Sequence, residues 1–219
     1  MTKHPSLQFL NPNAFLLLCL IVMIFFVPMF PVEYHGVLYQ FLFSCVFVLS
    51  ALSLQHVQKK ILVSIALFLT IIIWIADKID LAGLHLFSRA GQGIFFVFIV
   101  VHLIRQTATA KNVGVRVIAD SINGYLLVGI IYSIVVLMIL RFHPDAYHFP
   151  DGSAESPDSM SQMLYYTFIT FTSTGYGDIF PKLPGARSFA TLISTTGQLY
   201  VAIIIALLVG KFSSTEKTS

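Results

Sequence analysis

Charge is scarce in this chain: of 219 residues, 11% are Asp, Glu, Lys or Arg and 57% are hydrophobic, and the mean hydropathy is strongly positive. A water-soluble domain of this size cannot cover its surface with so little charge, so the composition excludes one and implies a membrane protein. Cysteine is scarcer still. Cys19 and Cys45 both sit in apolar runs, where thiols act as small hydrophobes, which leaves no basis for a disulfide framework or a metal site. GxGxxG, Walker and HExxH patterns are absent, and no Ser, His and Asp set assembles by spacing. Neither an enzyme, nor a cofactor, nor a nucleic-acid partner is expected.

What the chain has is long apolar runs. Six meet or approach the roughly 20 residues that a helix needs to cross a bilayer core: Ala14 to Phe30, Val37 to about Leu54, Ile61 to Ala76, about Leu84 to Ile104, Gly124 to Leu140 and Ser188 to Val209. Each reads as a helix, because an open strand edge is not tolerated in lipid and a barrel shows shorter alternating segments. A cleaved signal peptide is the rival for the first run, but a strong basic start and a small-x-small cleavage site are missing.

Lys and Arg in the short connections set orientation. Lys3, Lys59, Lys60, Arg105, Lys111, Arg116, Lys211 and Lys217 fall on one side, against Lys78, Arg89, Arg141, Lys182 and Arg187 on the other. Eight against five places both termini in the cytoplasm, with the cell (plasma) membrane as the expected location. The acids gather on the outer side: Glu33, Asp77, Asp80, Asp145, Asp151, Glu155, Asp158 and Asp178, with Asp120 and Glu216 inside. Such a mouth attracts cations, or the acids simply solvate loops.

Residues 105–122 are mixed and amphipathic, with Val113, Val115, Val117 and Ile118 against Lys111, Arg116 and Asp120. They read as a helix on the inner membrane surface or, given Asn112 and Gly114, as a loop. The excursion from Arg141 to Arg187 begins with a Pro-, Gly-, Asp- and Ser-rich loop. It continues as "SMSQMLYYTFITFT", a short helix with Asp158 and Ser159 as candidate N-caps. Too short to cross, this helix lies at the interface or dips in and returns, the latter only where protein or water satisfies its backbone. It leads into "TSTGYGD", where Gly175 and Gly177 allow successive carbonyls to turn to one side of the chain.

Ser173, Thr174, Gly175, Tyr176, Gly177 and Asp178 resemble the selectivity-filter signature of potassium channels. Gly197, 20 residues after Gly177, and "TGQLYVAIIIALLVG" resemble the inner helix of one-pore bacterial members. The resemblance covers roughly residues 120 to 212. It implies an all-α membrane protein with six transmembrane helices, a re-entrant pore helix and filter between helices 5 and 6, and a tetrameric pore. The implied division is 1–104 as a four-helix peripheral domain, 105–122 as a cytoplasmic linker, 123–212 as the pore domain and 213–219 as a short tail.

By the same resemblance K+ binds the backbone carbonyls of Ser173, Thr174, Gly175 and Tyr176, with the Ser173 hydroxyl as an inner ligand and Gly177 completing the filter. Thr172 and Asp178 support the filter, Tyr176 packs behind it, and Tyr165 and Tyr166 take the positions of an aromatic cuff. Those two tyrosines equally suit an interfacial aromatic belt. Gly197 is the implied hinge of the inner helix, with close helix packing as its alternative. Val201, Ile205 and Val209 recur at near-helical spacing as a candidate hydrophobic gate, or face lipid.

The chain departs from the family pattern at two places. Ser173 and Thr174 replace the usual Thr and Val, so Thr174 brings a hydroxyl that needs a partner if buried, and a poorly selective monovalent cation channel that also passes Na+ remains an alternative. A Glu that pairs with the Asp after the filter in some members is Ile169 here. One filter strand per chain supplies a quarter of a carbonyl ring, which implies a homotetramer among membrane lipids. The fourth run lacks the repeated arginines of a voltage sensor, so steep voltage gating is not expected. His56 and His102 are candidate acid sensors or interfacial histidines bonded locally. A non-conducting scaffold or sensor with a pore-like fold is the alternative from another class.

Overall fold

The computed structural model describes residues 12–54, 59–79, 82–110, 114–150 and 159–216. Lys3, His56, Asp80, Lys111, Asn112, Val113, Asp151, Glu155, Asp158 and Lys217, all used in the sequence reading, lie outside the described residues.

Helix α1 spans Pro12–Ile21 and continues through a π turn, Val22–Phe26, and a 3-10 turn, Val27–Met29. Pro28 explains the change of pitch: it cannot donate a hydrogen bond, and its ring crowds the carbonyl one turn earlier. Helices α2, His35–Ser53, α3, Lys59–Ile79, and α4, Ala82–Thr109, follow the second, third and fourth apolar runs. Helix α5 spans Val115–Phe142, and short α6 spans Met160–Phe171. The long α7 spans Pro184–Glu216, opening on a proline whose missing N–H has no helical partner to lose.

Among the described residues, five stretches are long and apolar enough to cross a membrane: Pro12–Met29, Val32–Ser53, Ala90–Thr109, Val115–Phe142 and Pro184–Gly210. Helix α3 occupies the place of the third apolar run without being among them. The chain is therefore a mostly helical, multi-pass membrane protein.

Residues 105–122 differ from the separate linker expected. Arg105 to Thr109 complete α4, Val115 to Ile122 open α5, and five residues, 110–114, lie between the two helices. Burial explains the difference. Asp120 and Asn123 on α5 are 1% and 0% exposed, packed against Asn13 at the start of α1, itself 1% exposed. The polar side of this amphipathic stretch thus faces other helices. Asn13 Nδ2 donates to Asp120 Oδ1, Gln106 Nε2 donates to Asp120 Oδ2 at 2.6 Å, and Asn123 Nδ2 donates to the Asn13 carbonyl at 3.0 Å. One carboxyl group on α5 thereby ties α1 and α4 to it.

Two apolar cores follow. The larger joins α1, α2, α4 and α5 through Leu16, Leu20, Phe43, Phe47, Phe96, Ile99, Leu127 and Ile130, with Phe47 stacked on Phe96 at a centroid distance of 4.8 Å. The smaller joins the far end of α5 to α6, the segment after it and the start of α7 through Val136, Leu140, Met163, Phe171, Ile179 and Ile193. Between them Gly129 lets α5 lie directly on α6, since a Cβ there would meet the Phe168 ring at 2.4 Å.

A two-residue antiparallel pairing closes the excursion. Strand β1, Tyr147–His148, pairs with β2, Phe180–Pro181, in the register Tyr147 to Pro181 and His148 to Phe180. It joins the chain before α6 to the chain just after the Gly-Tyr-Gly segment. Helix α7 leaves Leu192, Leu199, Ile203 and other large apolar side chains exposed in the single chain.

Candidate ion pathway

Residues 172–179 connect α6 to β2, and the first seven, 172–178, are exposed in the single chain. Their backbone alternates in hand. Ser173 has φ of 59°, Gly175 of 57° and Gly177 of 83°, so every second residue is left-handed. Alternation of left- and right-handed residues turns successive N–H groups to one side of the chain and successive carbonyls to the other. Glycine adopts the left-handed conformation freely, whereas Ser173 pays for a Cβ there.

Helix α6 accounts for the N–H side. The N–H of Thr172 bonds to the Phe168 carbonyl at 3.0 Å, that of Ser173 to Thr170 at 2.9 Å, and those of Thr174 and Gly175 to Ile169 at 2.9 and 3.0 Å. These bonds satisfy the carbonyls that any helix leaves open at its C-terminus. At the other end of α6 the Ser159 hydroxyl caps it, accepting from the Gln162 N–H at 3.2 Å. Among the described residues none donates to the carbonyl oxygens of Ser173, Thr174, Gly175 or Tyr176. Four acceptors in a row therefore have their pairing capacity unused among the described residues.

The structure gives the hydroxyls partners that the sequence did not reveal. Thr174 Oγ1 lies 2.9 Å from Thr172 Oγ1, and Thr172 Oγ1 lies 2.8 Å from the Phe168 carbonyl. The extra hydroxyl of Thr174 is thus paired within the segment. Ser173 Oγ lies 3.0 Å from Ser194 Oγ and accepts from Gln198 Nε2 at 3.1 Å. The inner-ligand role that the resemblance implies for that hydroxyl therefore has two competitors on α7.

The tyrosines separate. Tyr165 donates from its hydroxyl to Asp178 Oδ2 at 2.5 Å, and burial, then the adjoining carboxylate, push its phenol up to about 12. Asp178, without a Glu at Ile169, is held by this phenol instead. Tyr166 is 2% exposed and packs edge-on against Tyr147 at 5.1 Å. Tyr176, expected behind the filter, is 73% exposed in the single chain; within one chain nothing covers its ring.

Gly197 lies against the end of α6. A Cβ there would stand 1.9 Å from the Phe171 carbonyl oxygen and 2.8 Å from its ring, so this glycine permits close helix packing, while α7 runs unbroken through it. Thr196 Oγ1 bonds to the Tyr132 hydroxyl at 2.8 Å, and the Tyr200 hydroxyl donates to the Ser121 carbonyl at 2.9 Å beside Gly124. Val201, Ile205 and Val209 are 41%, 56% and 57% exposed. His102 bonds locally, its Nδ1 lying 2.9 Å from the Phe98 carbonyl. Ser194 and Gln198 are absent from the residues that the filter resemblance singles out, yet the sequence carries a signal for them: polar groups inside an otherwise apolar helix are costly and tend to have a partner.

Comparison with known proteins matches the part of the chain that holds this segment. The family model described as "Ion channel" matches residues 124–214. A-type voltage-gated potassium channel KCND3 of Rattus norvegicus, of Oryctolagus cuniculus and of Homo sapiens are each 29% identical to this chain over 90 residues. The matched stretch covers 41% of this chain and 13% of each of those relatives. No solved structure matches. Over residues 124–214, therefore, the chain is similar to ion channels, and the relatives it matches are potassium channels.

Proposed function

We propose that this protein is a potassium-selective ion channel in which four copies surround one axis and K+ passes along the carbonyls of Ser173, Thr174, Gly175 and Tyr176. The observation that carries the reading is the alternating backbone: a row of unpaired carbonyls, preceded and overlapped by the N–H groups of Thr172 to Gly175, which α6 occupies. Oxygen dipoles so fixed replace the water around a dehydrated cation. Four chains follow from geometry, because one strand covers a single side of an ion and closed rings form by rotation symmetry. The exposed Tyr176 ring and apolar α7 surface suit burial against neighbouring copies. In this reading α6 is the pore helix, α7 the inner helix and α3 the sixth membrane crossing. The membrane is the cell membrane, with both termini cytoplasmic. Opening is not steeply voltage-dependent.

Planar bilayers holding the purified protein, with K+ on one side and Na+ on the other, test the proposal. The expected reversal potential lies near the K+ equilibrium value. Robust current reversing near zero would establish the poorly selective cation pore instead, and a silent but tetrameric protein the non-conducting scaffold.

The Tyr165 to Asp178 bond yields a second expected result. A hydroxyl donating to a carboxylate is about twice as strong as a neutral pair, and here it fastens the outer end of the filter to α6. Tyr165→Phe should leave the reversal potential in place while sustained current decays about threefold faster or more, an effect set by the loss of one charge-assisted bond discounted for its exposure. Unaltered decay would show that the bond does not brace the filter.

A further inference from the structure

Ser173 is the one non-glycine residue with positive φ among the described residues, and the groups that touch its side chain come from α7, a turn apart on either side of Gly197. Ser194 Oγ is 3.0 Å from the Ser173 hydroxyl and Gln198 Nε2 is 3.1 Å from it. A serine hydroxyl has one proton and two lone pairs. Gln198 takes one lone pair. Ser194 takes either the proton or the second lone pair, so at most one lone pair of Ser173 remains for an ion.

The orientation of the Gln198 amide follows from its neighbours. Nε2 also reaches the Thr172 carbonyl oxygen at 3.5 Å, an atom that accepts and never donates, so the nitrogen must face the filter end and the carbonyl oxygen Oε1 must turn from it. Among the described residues nothing donates to Oε1, and Gln198 is exposed in the single chain. Gly197 fixes the depth of this contact by holding α7 directly against the Phe171 backbone.

We propose that Gln198 is a specificity-determining residue that builds a cation site at the inner mouth of the filter. Its Nε2 withdraws the Ser173 hydroxyl from the ion, and its Oε1, repeated around the fourfold axis, supplies a ring of amide oxygens in its place. The inference rests on the tetrameric pore reading above. Amide oxygens are ligands for hard, weakly dehydrated cations. The ring therefore takes a K+-sized monovalent or divalent cation that keeps part of its water, and selects which ions enter the carbonyl row. Ser194 is a positioning residue: its hydroxyl holds Ser173 from the other side and offers no ligand of its own.

The test uses the full chain purified in detergent, with Ba2+ alone as the probe in buffer free of K+. A cation that binds the folded assembly raises its melting temperature in a concentration-dependent way, so the midpoint of that rise reports affinity separately from basal stability. Gln198→Leu should weaken Ba2+ about tenfold and Gln198→Glu, which keeps an oxygen at the same reach and adds charge, should strengthen it about tenfold. Ser194→Ala should change the midpoint less than either. A wild-type protein without Ba2+ protection, or Leu and Glu variants both within about twofold of wild type, overturns the proposal; should the Leu variant fail to assemble, the Glu variant decides it. Bilayer current separates this result from the channel reading. K+-selective current with unmoved Ba2+ affinity removes the Gln198 ring alone, whereas shifted Ba2+ affinity in a protein that carries no current removes the conduction and leaves the ring.

Discussion

Gly197→Ala should lower the melting temperature of the purified protein and abolish or greatly reduce ion flux. The added methyl would stand 1.9 Å from the Phe171 carbonyl oxygen. Backbone cannot rotate away as a flexible side chain can, so α7 must retreat from α6. Overpacking of this kind costs about 1–3 kcal/mol, and more where the obstruction is rigid. Retreat also separates Ser194 and Gln198 from Ser173, so the strained left-handed serine loses its side-chain ties. The sign of the change is decisive for the role of this residue. In a glycine kept only so that a helix can bend, alanine would stiffen the helix and raise stability by about 1 kcal/mol. A melting curve that rises with altered opening would identify a hinge; one that falls identifies the close approach.

The second large effect is expected at Asp120→Ala. Both carboxyl oxygens of this 1% exposed residue accept hydrogen bonds, from Asn13 on α1 and Gln106 on α4. Removing them takes the acceptor from the buried Asn13 amide, and a buried donor without a partner costs about 1–3 kcal/mol. A loss of about 2 kcal/mol or more in folding stability follows, once the space left by the carboxyl group is added. Asp120→Asn should be far milder. Asn13 Oδ1 has no partner among the described residues, so a rotated Asn13 amide can accept from the new NH2 group while its carbonyl stays buried. Melting curves of both variants, with Asn13→Ala as the second arm of a double-mutant cycle, measure the coupling between α1 and α5. Equal losses for Ala and Asn would show that the charge, rather than the hydrogen-bond pattern, holds the junction.

How much of this was legible in the sequence varied with the physics behind each feature. The helices were readable because a bilayer demands unbroken apolar length, and the six runs lie within helices to the last residue or one short of it, the first as a helix continued by π and 3-10 turns. Gly175 and Gly177 announced their positive φ because glycine is the residue that takes it without strain. Ser173 did not, since a serine in that conformation is fixed by tertiary contacts from 21 and 25 residues away. The stretch 105–122 looked interfacial because polar residues on one face of a helix suggest water, and here that face meets Asn13 across more than 100 residues of sequence. Tyr165 and Tyr166 were read as a pair, yet adjacent residues on a helix point about 100° apart, which sends one to Asp178 and the other beneath Tyr147.

The shortness of the connection between α4 and α5 reaches beyond the single chain. Five residues span at most about 18 Å, and α1 is fastened to α5 of its own chain through Asp120 and the larger core. A peripheral bundle so leashed cannot exchange places with that of a neighbour. In the proposed assembly of four, each quadrant carries its own bundle beside its own share of the pore, and the Tyr200 hydroxyl on the Ser121 carbonyl makes α7 the far end of that same quadrant. Chains mixed from altered and unaltered copies would then deliver their defects in quarters, one quadrant at a time.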